Sequence, residues 1–79
     1  MTDVALPEAQ ATLDGGDRRC GELILALKRT IERLAAGQVL KLICRDPGAR
    51  EDLPAWCRMT GHRLLWGDGH TFYIARKED

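Results

Sequence analysis

The run Val39-Leu40-Lys41-Leu42-Ile43-Cys44 constrains this chain of 79 residues more than any other stretch. It is nearly continuous, apolar and β-rich, with Gly37 on one side and Pro47-Gly48 on the other. Such a run predicts a central strand covered on one or both faces. A chain this short lies near the lower limit for a self-sufficient core, so the cover has to come from the segments on either side. Upstream, Leu23, Ile24, Leu27, Ile31 and Leu34 recur at the spacing of one helix face, with Lys28, Arg29, Glu32 and Arg33 opposite. That predicts a helix over Gly21 to Ala36, closed by Gly37 in the left-handed position. Downstream, Leu53, Trp56, Cys57 and Thr60 make a second, shorter apolar side. Asp52 reads as its N-cap, Pro54 falls within its first turn, and Gly61 stops it.

The remaining segments complete a sheet. Glu8 to Leu13 reads as a short strand with Ala9, Ala11 and Leu13 on one side, although alanine is a poor strand former. Asp46-Pro47-Gly48 breaks the chain after the central run. His62 to Trp66 and His70 to Arg76 read as strands joined by Gly67-Asp68-Gly69, an antiparallel hairpin. The order is β-α-β-α-β-β. Its first three elements imply a parallel pair with a right-handed crossover, and the hairpin adds an antiparallel strand. The fold class expected is an α/β two-layer sandwich, βαβαββ, with a four-stranded mixed sheet and two helices on one face. Residues 1–79 read as a single domain with about 8–77 ordered, Met1 to Pro7 forming a loose N-terminus.

Composition narrows the function classes. With 44% hydrophobic and 30% charged residues the chain reads as a soluble globular protein. Twelve Lys plus Arg balance twelve Asp plus Glu, and that zero net charge counts against direct nucleic-acid binding. Three widely spaced cysteines, an odd number, with no signal peptide, read as reduced cytosolic thiols. No apolar run approaches the roughly 18 residues of a membrane span. The expected location is the cytoplasm, with no membrane partner.

The chemistry centres on Cys20. The turn cluster Asp14-Gly15-Gly16-Asp17 precedes Arg18-Arg19-Cys20-Gly21-Glu22-Leu23, so the thiol falls at or within a turn of a helix N-terminus. Free N–H groups and the helix dipole favour negative charge there. Arg18 and Arg19 add positive potential, and these are conditions that make a thiolate available at neutral pH. The competing reading of Cys20 is a small buried hydrophobe. For Arg18 and Arg19 it is a pair of solvated loop side chains, and for Glu22 a simple partner of the dipole. Cys44 and Cys57 fall in apolar rows and read as core. Trp56 reads as core and Trp66, beside a turn, as an exposed aromatic. Lys28, Arg29 and Arg33 line an outer helix face. Cys20, Cys44, Cys57, His62 and His70 show no metal-ligand spacing. No phosphate-binding glycine loop is present, so no metal and no cofactor is expected.

From Leu13 to Lys77 the chain resembles the TusA-like (SirA-like) sulfur-carrier family. The resemblance rests on several landmarks in order. They are the aspartate–glycine turn before Cys20 with Glu22 two residues on, the helix ending at Gly37 and the Asp46-Pro47 break. Asp52-Leu53-Pro54-Ala55-Trp56-Cys57, Gly61-His62 and Ile74-Ala75-Arg76-Lys77 follow. It implies a βαβαββ fold similar to the C-terminal domain of translation initiation factor three. It also implies sulfane sulfur carried as a persulfide on the cysteine of a Cys-Pro-x-Pro motif. Here Cys20 and Glu22 match that motif, while Gly21 and Leu23 replace both prolines. The implied partners are a sulfur donor, such as a cysteine desulfurase or rhodanese, and a downstream acceptor protein. The pathways implied include transfer-RNA thiolation, cofactor assembly and dissimilatory sulfur metabolism. The alternative is a binding or regulatory module that keeps the fold without the chemistry.

Overall fold

The computed structural model describes residues 8–16 and 20–78, Cys20 by its backbone. Its elements are β1 (Ala11–Asp14), α1 (Cys20–Ile31), β2 (Val39–Ile43), α2 (Ala49–Thr60), β3 (Arg63–Gly67) and β4 (Thr71–Ala75). The central apolar run becomes β2, an interior strand of a four-stranded sheet in the order β1-β2-β4-β3. β1 pairs with it in parallel, Ala11 opposite Leu40 and Leu13 opposite Leu42. β4 pairs antiparallel on the other side, with Leu40 opposite Ile74 and Leu42 opposite Phe72. β3 closes the far edge against β4. The expected topology, a mixed sheet with two helices, is what forms.

Side-chain alternation explains which face the helices take. Leu40, Leu42, Phe72 and Ile74 point to one side and meet Leu23, Leu27 and Ile31 of α1 and Leu53, Trp56 and Cys57 of α2. Leu27, Ile31, Leu40, Leu42, Leu53 and Ile74 are each 0% exposed. Complete burial of such a side chain contributes roughly 1.5–3 kcal/mol, so these rows hold the two layers together. On the opposite face Val39, Tyr73 and Ala75 form a smaller cluster with Ala9 and Trp66. Trp66 is half-buried, its ring edge-on to Tyr73 at 5.9 Å, which corrects the expectation of an exposed aromatic. Its register places it directly opposite Tyr73, after a bulge between Leu64 and Trp66.

Several boundaries differ from expectation, each for a local reason. β1 begins at Ala11 rather than Glu8 and extends to Asp14, which pairs with Ile43. α1 ends at Ile31, well before Ala36. After it the chain tightens into shorter turns, with the Arg33 amide donating to the Thr30 carbonyl and Leu34 to Ile31. Gly37, at φ +81, therefore serves the turn into β2 rather than the helix end, and its N–H donates to the Arg76 carbonyl. α2 starts at Ala49, a turn before the expected Asp52 cap. The Asp46 side chain accepts from the Gly48 N–H at 2.9 Å, and the Gly48 carbonyl accepts from Glu51 and Asp52. The Pro47-Gly48 break thus leads straight into the helix, leaving Asp52 as a first-turn acid and Pro54 inside. Gly61, at φ +88, caps its end as expected, its N–H on the Cys57 carbonyl. Among the described residues, no helix is long and apolar enough to cross a membrane. The loose terminus expected for Met1 to Pro7 lies outside the described residues.

Candidate functional site

Strand directions decide what surrounds the start of α1. β1 and β2 are parallel, and β3 runs the same way because both β2 and β3 are antiparallel to β4. α1 follows β1 and α2 follows β2, so both helices begin at the carboxyl end of the sheet. The positive ends of their two dipoles therefore lie at one pole of the molecule. Cys20 is the first residue of α1 and stands at that pole. Arg18 and Arg19 lie outside the described residues.

The described residues on either side of Cys20 are Gly16 and those before it, and Gly21 and those after it. Asp14 ends β1, and its Oδ1 accepts the Gly16 N–H at 2.9 Å, an Asx turn that bends the chain. The Gly15 N–H donates to the Ile43 carbonyl at 2.7 Å and continues the parallel ladder past β1. Gly16 adopts φ +57, a left-handed conformation that glycine takes without a Cβ clash. On the helical side Gly21 and Glu22 are exposed, and Glu22 is the acid of the first turn, matched to the dipole. A Cβ at Gly21 would meet nothing within 4 Å. Packing does not demand glycine there.

Beside Gly21 a shallow groove of about 310 Å³ runs between the helices, lined by Gly21, Ile24, Asp52, Ala55, Trp56 and Met59. Met59 is 82% exposed and Leu25, next to the groove in sequence, 53%. Sequence reading did not single out Met59, Ala55 or Asp52 as site residues. The signal was the adjacent pair Leu23-Ile24, which makes the apolar stripe of α1 wider than the sheet alone covers. Leu23 turns into the core and Ile24, half-buried, faces the groove. Trp56 and Met59 continue into a second hollow toward Lys28, Arg76 and Lys77. Lys28 and Arg29 are exposed, as their helical phase requires, and so is Arg33 in the turn beyond α1.

Cys44 and Cys57 are buried, and His62 is engaged elsewhere. Cys44 is 0% exposed and Cys57 4%, both free thiols. Burial pushes the Cys57 thiol up to about 11, which keeps it protonated and inert at neutral pH. His62 Nδ1 accepts the Lys77 N–H at 3.0 Å, and its ring lies 5.3 Å from that of Trp56. Its nearer nitrogen is thereby used in fixing the end of β4.

Comparison with known proteins bears on this arrangement. The family described as Sulfurtransferase TusA matches residues 11–76 of the chain. The sulfur carrier protein TusA of Pseudomonas entomophila strain L48 is 38% identical over 83 residues, with 100% of each chain covered. That of Pseudomonas putida strain GB-1 is 40% identical, again with 100% of each chain covered.

Proposed function

Because this chain belongs to the TusA family, we propose that it is a sulfur carrier that accepts sulfane sulfur as a persulfide on Cys20. The Cys20 thiolate attacks the outer sulfur of a donor persulfide, R–S–SH. A new S–S bond forms on Cys20, the donor S–S bond breaks, and the donor leaves as a thiolate. The products are Cys20–S–SH and R–S⁻, and the pair as a whole is neither oxidised nor reduced. The outer sulfur then passes to an acceptor thiol by the same exchange, with Cys20 as the leaving thiolate.

The observation that carries this reading is the start of α1 at the pole where both helices present their N-termini. Such a pole favours the thiolate, and afterwards the persulfide anion, over their protonated forms. Gly21 takes the place of the motif's first proline and adds a backbone N–H able to donate to that anion. Arg18 and Arg19 supply further positive potential, and Glu22 favours the dipole of the same turn. Donor and acceptor are proteins in this reading, a cysteine desulfurase or rhodanese being the donor class. The apolar groove beside Gly21 gives such a partner a surface to rest on. The chain acts as one domain in the reducing cytoplasm, where a free thiol is maintained.

Cyanide tests the proposal, since it removes sulfane sulfur as thiocyanate. Protein exposed to an active desulfurase with cysteine, then desalted, should release about one thiocyanate per chain. Cys20→Ser should release none, while Cys44→Ser should match the wild type. Equal release from wild type and Cys20→Ser contradicts the assignment. No release from folded wild type favours the alternative, a binding or regulatory module of the same fold.

A further inference from the structure

We infer that Gly15 and Leu23 are positioning residues, a clamp that fixes the first turn of α1, which Cys20 opens, against the end of β1. The inference rests on the reading of Cys20 as the sulfur-bearing thiol. Gly15 leaves the sheet at the carboxyl end of β1, and Leu23 lies in the first turns of α1; the segment between them carries Cys20. A Cβ built on Gly15 would stand 2.6 Å from Leu23 Cδ1, 3.3 Å from its Cδ2 and 3.0 Å from the Ile43 carbonyl oxygen. The Leu23 side chain therefore occupies the space above Gly15. It is 1% exposed and has little room to withdraw.

Gly15 is not among the glycines with positive φ, so space, not backbone conformation, requires a glycine there. Its N–H donates to the Ile43 carbonyl at 2.7 Å, the same oxygen that closes the other side of the gap. The residue after β1 is thus pinned to β2, and the first turn of α1 packs onto it. A Cys-Gly-Glu-Leu sequence has no proline ring to fix φ around its cysteine. Gly21 leaves the first turn especially free. The clamp supplies by packing the restraint that the sequence lacks covalently, and it holds Cys20 at the helix N-terminus.

The test is the pH profile for alkylation of Cys20 by a neutral reagent, read by mass mapping of the modified thiol. It needs no sulfur donor, so failed sulfur loading and a failed clamp are separate results. Leu23→Val removes the Cδ atoms that lie over Gly15. Its profile midpoint should move up by about half a pH unit, a rate at pH 7 about threefold lower. Leu27→Val, one turn on and equally buried, is the control for loss of core packing. It should lower the melting temperature comparably and leave the midpoint in place. Gly15→Ala should lower the rate about tenfold, and the double variant Gly15→Ala/Leu23→Val should be no slower than Gly15→Ala alone. Identical midpoints for wild type and Leu23→Val, or equal shifts for Leu23→Val and Leu27→Val, would overturn the clamp. If Gly15→Ala does not fold, the comparison of the two valine variants still decides.

Discussion

Burial moves the Cys57 thiol from an ordinary 9.0 up to about 11. Two consequences follow at the scale of this residue. At pH 8 only about one in a thousand Cys57 side chains is ionised, so alkylation of the native protein should spare it. Mass mapping after brief treatment should find Cys20 modified first, with Cys57 reacting only once urea unfolds the chain. Modification of Cys57 in native protein at the rate of Cys20 would contradict its burial. The sign of the pH dependence follows as well. The folded state holds its proton more tightly than the unfolded state, so this contribution is intact below pH 9. It is lost between about 9 and 11 at up to ~1.4 kcal/mol per pH unit, as the unfolded thiol ionises first. Cys57→Ala should flatten that part of the stability profile. The core roles of Cys44 and Cys57 were legible because each sits in a periodic apolar row. Gly15 was legible only as a turn glycine. Its close neighbours, Leu23 and the Ile43 carbonyl, come from two other elements, and no local pattern records them.

At the scale of elements, the hairpin shows how a single side chain can fix a junction. Asp68 Oδ1 accepts the His70 N–H at 2.9 Å and the Thr71 N–H at 2.7 Å, while the Asp68 N–H donates to Thr71. Those bonds, the His70 one foremost, hold its carboxyl below the usual carboxylate range. The contribution is therefore present above the ordinary value of 3.8 and disappears as pH falls through the lower, folded value. Asp68→Ala should speed hydrogen exchange at the His70 and Thr71 amides while leaving α1 protected. Unchanged exchange at both amides would show that the turn stands without it. Element number, type and order were readable from periodicity and glycine punctuation, because each amphipathic face had one possible use in so small a chain. The ends were not. α1 stops at Ile31 although Leu34 keeps the helical phase, and α2 starts early because the Asp46 turn already satisfies its first amides. Such limits depend on hydrogen bonds between segments, which a local pattern does not contain.

For the whole molecule, the parallel β1–β2 pair and the position of β4 between β2 and β3 send both helices in one direction. One pole then collects the two helix N-termini, and the groove between the helices opens beside it. With a net charge of zero, long-range attraction is a weak basis for choosing a partner, and under the proposed function contact at this groove supplies the selectivity. Met59, exposed at 82%, is where charge should interfere most with docking and least with folding. Met59→Glu should slow sulfur transfer from a donor protein several-fold and change stability by less than about 0.5 kcal/mol. Alkylation of Cys20 by a small reagent should be unaffected. Equal transfer rates for Met59→Glu and wild type would remove the groove from the account.

Whether Cys20 carries sulfur can be read from intact mass. Wild type and Cys20→Ser would be incubated side by side with a cysteine desulfurase and cysteine, without reductant, and weighed. A persulfide on Cys20 gives one added sulfur atom on the wild type, removed by reductant, and none on Cys20→Ser. The same gain on both proteins, or none on a folded wild type beside an active donor, would contradict it.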